Sequence, residues 1–206
     1  MPLSRRAILH RALIAAPILR SDLFERMFST ADLPAPEEKW YWWPAHSFTF
    51  KSIGKDTGDT CTWMLVESTP REGVPFHKHL HEDESFYVID GQFEITVSDK
   101  TVIGGPGTYM YGPREVQHRW TNIGEKRGRL LNVFTPSGLE NYFFAAGIPI
   151  SSSSQQPSVD MAALNAQLGP LREKFGVSRT GPSKYPRPGD PIASNPTGDL
   201  KTAVPK

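Results

Sequence analysis

The sequence predicts an all-β domain, an antiparallel double sheet closed as a sandwich or barrel, with helical extensions at both ends. Three observations predict it. Short apolar runs with period-two alternation recur between residues 47 and 135. Turn signals separate them at close intervals, Asp90-Gly91 and Gly104-Gly105-Pro106-Gly107 being the clearest. No helical pattern is interleaved with the strands, which argues against a parallel sheet with crossover helices.

Taken in order, residues 1–31 carry two competing patterns. Ser4-Arg5-Arg6-Ala7-Ile8-Leu9 resembles a twin-arginine export signal, followed by the apolar run Ala12 to Leu19 and the small residues Ser29-Thr30-Ala31. Against this, Arg20, Asp22, Glu25 and Arg26 break the apolar region early, and Ile8, Ala12, Ala15, Leu19 and Leu23 recur near helical spacing. The reading adopted is an amphipathic helix on a cytoplasmic protein; the alternative is twin-arginine export to the periplasm or medium. Ala31 to Glu38 is a Pro-rich link. Trp40-Tyr41-Trp42-Trp43-Pro44 follows, with too many tryptophans for one strand face. Rings of this kind favour a place flat on the barrel or in a subunit contact.

Ser47 to Ile53 alternates as a strand, Gly54 to Asp59 is a polar turn, and Cys61 to Glu67 is a second strand. In the latter, Trp63 and Leu65 share one face, Met64 and Val66 the other. Thr69 to Gly73 is a loop. Beyond Asp90-Gly91, Phe93, Ile95 and Val97 alternate with Gln92, Glu94, Thr96 and Ser98, the cleanest half-buried strand in the chain. Thr101 to Ile103, Tyr109 to Gly112, Gln117 to Asn122 and Arg129 to Thr135 continue the series. Gly138 to Ala145 reads as a helix, Ser151 to Pro157 as a linker, and Asp160 to Phe175 as a helix that Gly169-Pro170 breaks or kinks. Ser178 to Lys206 reads as an irregular tail. The barrel is thus assigned to residues 40–148, and the linker, helix and tail to 149–206.

Composition bounds the function. The chain has 206 residues, 38% hydrophobic and 11% aromatic, enough for one domain with a core, while 19 prolines imply long irregular segments. A formal net charge of +1 with no basic stripe beside the tryptophans argues against nucleic-acid binding. No apolar run is long enough for stable membrane insertion. The single cysteine, Cys61, excludes an internal disulfide and is expected to be buried in its strand.

The chemistry concentrates in Phe76-His77-Lys78-His79-Leu80-His81-Glu82-Asp83-Glu84, closed by Gly91. Residues i and i+2 of a strand lie on one face, roughly 6.6 Å apart, so His77 and His79 point the same way. Glu84, at the head of the next strand, can return to that face. Two imidazoles and a carboxylate make a first set of ligands for a divalent transition metal. The segment alone is equally compatible with a solvated acidic-histidine loop. A second stretch, Gly107 to Asn122, adds His118 behind a Gly/Pro turn.

Together the two stretches resemble the two motifs of the cupin superfamily, G-x5-H-x-H-x3/4-E-x6-G and G-x5-P-x-G-x2-H-x3-N. His77, His79, Glu84 and Gly91 fit the first from its histidines onward; Gly107, Pro113, His118 and Asn122 fit the second at every spacing. Gly73 makes the opening spacer short, and Glu115 stands where the second motif has glycine. A register through His79 and His81 would put Ser85 at the carboxylate position and is rejected. The resemblance implies a jelly-roll barrel with His77, His79, Glu84 and His118 around one divalent metal (Fe, Mn, Ni, Co, Cu or Zn).

From Trp40 to about Ser178 the order of features is similar to single-domain bacterial cupins of the quercetin 2,3-dioxygenase type. That likeness implies a flavonol bound through its hydroxyl, Glu84 as both ligand and base, and dioxygen as co-substrate with release of carbon monoxide. Isomerases, decarboxylases and non-catalytic binders share such motifs, and these readings stay open. With Glu84 and His118 inward, strand parity turns Phe86, Val88, Val116 and Trp120 inward; the substrate pocket is expected from Trp63, Phe86, Val88, Trp120 and Phe134. A homodimer is expected, with the Trp40–Trp43 cluster and the helix before it covering sheet edges.

Overall fold

The computed structural model describes residues 38–44, 46–182 and 184. The reading of residues 1–31 and the part of the tail beyond residue 184 lie outside them. Among the described residues the strands are β1 (Trp40–Trp43), β2 (His46–Ser52), β3 (Thr62–Ser68), β4 (His77–His79), β5 (Asp83–Asp90), β6 (Phe93–Val97), β7 (Lys100–Gly104), β8 (Tyr109–Gly112), β9 (His118–Asn122), β10 (Gly128–Thr135), β11 (Ile148–Ile150) and β12 (Val177–Arg179). The helices are α1 (Gly54–Thr57), α2 (Glu140–Ala146) and α3 (Met161–Lys174). One antiparallel sheet has the order β11-β1-β2-β3-β10-β5-β8, the other β12-β4-β9-β6-β7. This is the all-β double-sheet architecture that the alternation predicts; its helices are a single turn between β2 and β3 and two segments after β10.

Period-two burial explains the core. In β5 the buried Glu84, Phe86 and Val88 alternate with Ser85 and Tyr87, and in β10 the buried Leu130, Asn132 and Phe134 alternate with Leu131 and Val133. Phe48, Met64, Val66, Phe86 and Leu130 from the seven-stranded sheet meet Phe93, Ile95 and Trp120 from the five-stranded one in a single cluster. Burying side chains of this size contributes roughly 1.5–3 kcal/mol each, so packing holds the fold without a disulfide.

Several expectations are corrected. Trp63 is 42% exposed on the outer face of β3; its inward neighbours are Thr62, Met64 and Val66. It is not among the residues that line the cavity at the metal donors. Parity had separated the two faces correctly, but the bulkier residue faces outward. Cys61 precedes β3, is only half-buried, and accepts the Trp63 indole N–H at 3.2 Å. The tryptophan cluster is itself a strand, β1, paired with β11 on one side and β2 on the other, and the helix expected before it lies outside the described residues. Tyr41, Trp42 and Trp43 pack against the core: Trp43 lies 5.2 Å from Tyr142 and Tyr41 stacks on Phe48 at 5.4 Å. Pro170 does not break the C-terminal helix, which runs through it for 14 residues. Asp160 caps that helix by accepting from the N–H groups of Ala162 and Ala163 at 2.9 and 3.2 Å. Leu164 and Leu168, one turn apart, are its buried face. Ser178 and Arg179, expected in the irregular tail, belong with Val177 to β12. No helix among the described residues is long and apolar enough to cross a membrane.

One buried carboxylate ties three elements together. Glu140, the first residue of α2, accepts from the Gly54 N–H at 2.9 Å, the Thr62 hydroxyl at 2.7 Å and the Gly138 N–H at 2.7 Å. Burial pushes its carboxyl up, but the hydrogen bonds from Thr62 and the backbone outweigh this and hold it below its ordinary range. Replacing Glu140 with alanine orphans buried donors. The expected loss is about 2–4 kcal/mol, roughly 5–12 °C in melting temperature. A depressed folded-state carboxyl stabilises above its unfolded range and loses that contribution as pH falls through the folded value. The gap between wild type and Glu140→Ala should therefore narrow in acid, which melting curves across a pH series would check.

Candidate metal centre

The centre joins the two sheets. The five-stranded sheet supplies three imidazoles, His77 and His79 from β4 and His118 from β9, with His77 and His118 register partners. The seven-stranded sheet supplies Glu84 from β5. One potential ligand atom from each of the four lies within 4.8 Å of the others. Glu84 Oε2 is 2.9 Å from His118 Nε2, 3.1 Å from His79 Nε2 and 4.0 Å from His77 Nε2. Glu84, His79 and His118 are buried, and His77 is half-buried at the cavity side.

The protonation pattern explains why a cation fits here. His118 Nδ1 lies 2.9 Å from the Val116 carbonyl oxygen and His77 Nδ1 lies 2.9 Å from that of Pro75. A carbonyl only accepts, so in both rings Nδ1 carries the proton and Nε2 presents a lone pair. The buried His118 Nε2 accordingly has no hydrogen-bond partner, although the anionic Glu84 oxygen is 2.9 Å away. Acceptors facing one another at that distance are held together by a cation between them. Burial, then the neighbouring imidazoles His118 and His79, lowers His77 well below the usual histidine range, and burial lowers His79. Both rings are therefore neutral, the form that ligates metal. Burial pushes the Glu84 carboxyl up, and contact with the His118 and His79 rings lowers it, the net direction being downward. Neutral imidazoles and a carboxylate are the donor set of a divalent transition metal.

Neighbouring residues fix these donors. Asn132 Nδ2 donates to Glu84 Oε1 at 2.6 Å and sets the carboxylate plane. Sequence reading missed Asn132; the signal was a polar residue at an inward position between Leu130 and Phe134. Gly112 pairs with Glu84 across β5 and β8, and a Cβ there would come 3.3 Å from His118 Nδ1, so a small residue lets the ring close. Glu115, in the place of the motif glycine, adopts φ 64° and donates its N–H to the His79 carbonyl at 2.7 Å. The turn thus keeps a left-handed conformation at a cost of order 1 kcal/mol. Asn122 is a clamp rather than a ligand: Nδ2 donates to the Ser68 and Lys126 carbonyls at 2.8 and 2.9 Å, and Oδ1 accepts from the Gly124 N–H at 3.0 Å. His81 lies outside the cluster, with its ring at Gly176, where a Cβ would meet it at 2.8 Å.

A cavity of about 90 Å³ opens in front of His77, His79 and Glu84. Of the expected pocket residues, Trp120 and Phe134 line it. Phe86 and Val88 are buried but do not; the Phe86 ring stands 5.6 Å from that of His118, supporting it from within the core. Met64 occupies the wall expected of Trp63, and Tyr142, Phe143, Arg172 and Arg179 complete it from the segment after the barrel.

Alanine at His77, His79 or His118 should each strip most of the bound metal, read by elemental analysis, while His81→Ala retains it. Asn132→Leu should weaken metal binding by roughly 10- to 100-fold. Loss of metal from His81→Ala with retention in His77→Ala would show that the wrong histidines have been assigned.

Residues 64–134 match the cupin domain family. Quercetin 2,3-dioxygenase of Bacillus subtilis (strain 168) is 23% identical over 109 residues, 53% of this chain and 32% of that protein. Polyketide synthase CurC of Streptomyces cyaneus is 26% identical over 80 residues, 38% of this chain and 52% of that protein. The matches thus span about a third and about a half of these curated relatives. Among solved structures, KdgF from Halomonas sp. superposes with a TM-score of 0.45 at 17% identity, over 50% of this chain and 89% of that one. An RmlC-like cupin from Shewanella frigidimarina NCIMB 400 gives 0.44 at 16% identity, over 51% and 89%. The family match covers every donor of the centre just described, and residues 64–134 are a cupin domain by that match.

Proposed function

We propose that this cupin is a metal-dependent dioxygenase of a small enolic or phenolic aromatic, of the quercetinase kind. The observation that carries the reading is Glu84: a buried, ionised carboxylate with one oxygen anchored by Asn132 and the other facing three imidazoles at the cavity. A divalent metal (Fe, Mn, Ni, Co, Cu or Zn), when bound, makes a hydroxyl that reaches it more acidic. His77, His79 and His118 would hold it. Glu84 Oε2 then stands where a substrate hydroxyl gives up its proton, and the Asn132 hydrogen bond to Oε1 keeps the accepting oxygen in place. Trp120, Phe134 and Phe143 exclude water and offer flat apolar walls to an aromatic ring. Dioxygen would be the co-substrate. The likeness to the Bacillus subtilis quercetin 2,3-dioxygenase supports this reading over about half of the present chain.

A second reading, an isomerase or decarboxylase of a small oxygenated molecule, is favoured by the two arginines on the cavity wall, Arg172 and Arg179. Oxygen uptake by metal-loaded protein with a panel of flavonols separates the two, and binding without product would mark a non-catalytic cupin. Glu84→Gln keeps an oxygen donor of similar shape but accepts no proton. It should retain much of the metal, bind a substrate analogue, and lose turnover by roughly 10²- to 10⁴-fold. Turnover near the wild-type rate in a metal-loaded Glu84→Gln variant would make Glu84 a ligand only.

We also propose a homodimer, now through the outer face of the seven-stranded sheet. Trp63, Tyr87, Tyr109 and Tyr111 are all more than two-fifths exposed there. Cross-strand register puts Trp63 against Val133 and Tyr87 against Leu131 and Tyr109, one continuous apolar surface. Light scattering should give twice the chain mass at micromolar concentration; a monomer would remove the dimer.

A further inference from the structure

The wall that the segment after the barrel adds to the cavity holds one buried hydroxyl. Tyr142, in α2, is 3% exposed and lines the same cavity as the metal donors His77, His79 and Glu84. Its ring is held among other rings, with centroids at 5.2 Å for Trp43, 5.4 Å for Phe143 and 6.0 Å for Phe175. Packing of this kind fixes where the hydroxyl stands, and a buried tyrosine hydroxyl ordinarily finds a partner. Arg172, from α3 and on the same wall, donates to the Tyr142 oxygen. A guanidinium only donates, so this bond uses an oxygen lone pair and leaves the hydroxyl hydrogen to be placed elsewhere. Burial pushes the Tyr142 hydroxyl up to about 12, and the arginine offsets only part of that, so the hydrogen is retained across the neutral range. No acceptor among the described residues takes it. A ligand that expels water from this cavity must supply the acceptor itself or leave a buried donor unpaired.

We propose that Tyr142 is a second anchor for the ligand of this centre: a neutral oxygenated ring compound with one oxygen at the metal and a separate carbonyl that accepts from the Tyr142 hydroxyl. Arg172 is a positioning residue. By occupying the tyrosine oxygen it commits the hydrogen to the cavity. The proposal rests on the reading of this cavity as the ligand site of the metal centre, and it needs no dioxygen chemistry. It divides the labour along the chain. The matched domain, residues 64–134, holds the metal. The segment beyond it selects the ligand by a hydrogen bond.

The test uses the full chain loaded with Zn(II), titrated under argon with two neutral catechols of the same shape. One carries a para acetyl group, and so a carbonyl; the other carries a para isopropyl group and has none. Titration calorimetry reads both affinities in each variant. Comparing the losses of the two probes cancels the difference in their catechol acidities. Tyr142→Phe keeps the ring and removes the hydrogen. It should weaken the acetyl probe roughly tenfold, leave the isopropyl probe within about twofold, and keep the metal content. Arg172→Met should reproduce part of that loss for the acetyl probe alone, and Arg172→Lys, which still donates, should recover it. A general packing role would move both probes together, so equal losses, or no loss, overturn the proposal. Should melting curves show that Tyr142→Phe does not fold, the two Arg172 variants decide by the same criterion. Binding of neither probe by the unmutated protein would remove the cavity as the ligand site, and the role of Tyr142 with it. Binding of both, with discrimination unchanged in Tyr142→Phe, removes that role alone.

Discussion

Much of this molecule is arranged around one electrostatic confrontation, a carboxylate from one sheet set against imidazole lone pairs from the other. Glu84 Oε2 faces Nε2 atoms whose rings have already given their protons to the Pro75 and Val116 carbonyls. Buried acceptors placed this close repel one another without a cation between them, and at low dielectric that repulsion is large. The barrel keeps the arrangement because each donor is fixed by a strand. The Asn132 amide then removes the last torsional freedom of the carboxylate. A site organised in this way prefers a cation before any substrate arrives.

The local departures from ordinary backbone serve that confrontation. Glu115 accepts a left-handed conformation so that its N–H can hold the His79 carbonyl while the chain turns toward His118. Gly112 keeps the space between Glu84 and the His118 ring. Gly73, whose Cβ would fall 2.2 Å from the Trp120 carbonyl oxygen, lets the strand leading to His77 run against the one that carries His118. Each lies on the path between a ligand-bearing strand and its neighbour, where a side chain or a relaxed turn would pull the donors apart.

The sequence was most legible where a single periodicity decides the outcome. Motif spacing brought His77, His79, Glu84 and His118 together on paper, and the structure puts their donor atoms within 4.8 Å. Strand parity gave the inward positions of β5 and β9. Parity cannot say which face is inward, however, and the size of Trp63 suggested the wrong one. Strands of three residues carry too little pattern to be seen, so β11 and β12 went unread even though β12 pairs with the metal strand. Pro170 signals a break, yet its helix continues because the face with Leu164 and Leu168 is buried and tertiary packing overrides propensity. Arg172 and Arg179 were out of reach for another reason. Nothing local marks a residue that enters a cavity about a hundred positions from the ligands it faces.

That distance in sequence has a physical consequence. Placing guanidiniums beside a metal is unfavourable unless something anionic shares the space, because like charges repel strongly in a cavity walled by Trp120, Phe134 and Phe143. Glu84 is the one carboxylate among the described residues of that wall. The C-terminal segment adds the cations from the edge: β12 pairs with β4 at the margin of its sheet, and α3 packs against α2 and β12. Changes in that segment can alter the charge of the wall without disturbing the four donors, which are fixed by strands of the barrel. A fold arranged in this way can hold one metal chemistry constant while the ligand it admits is set by an appendage.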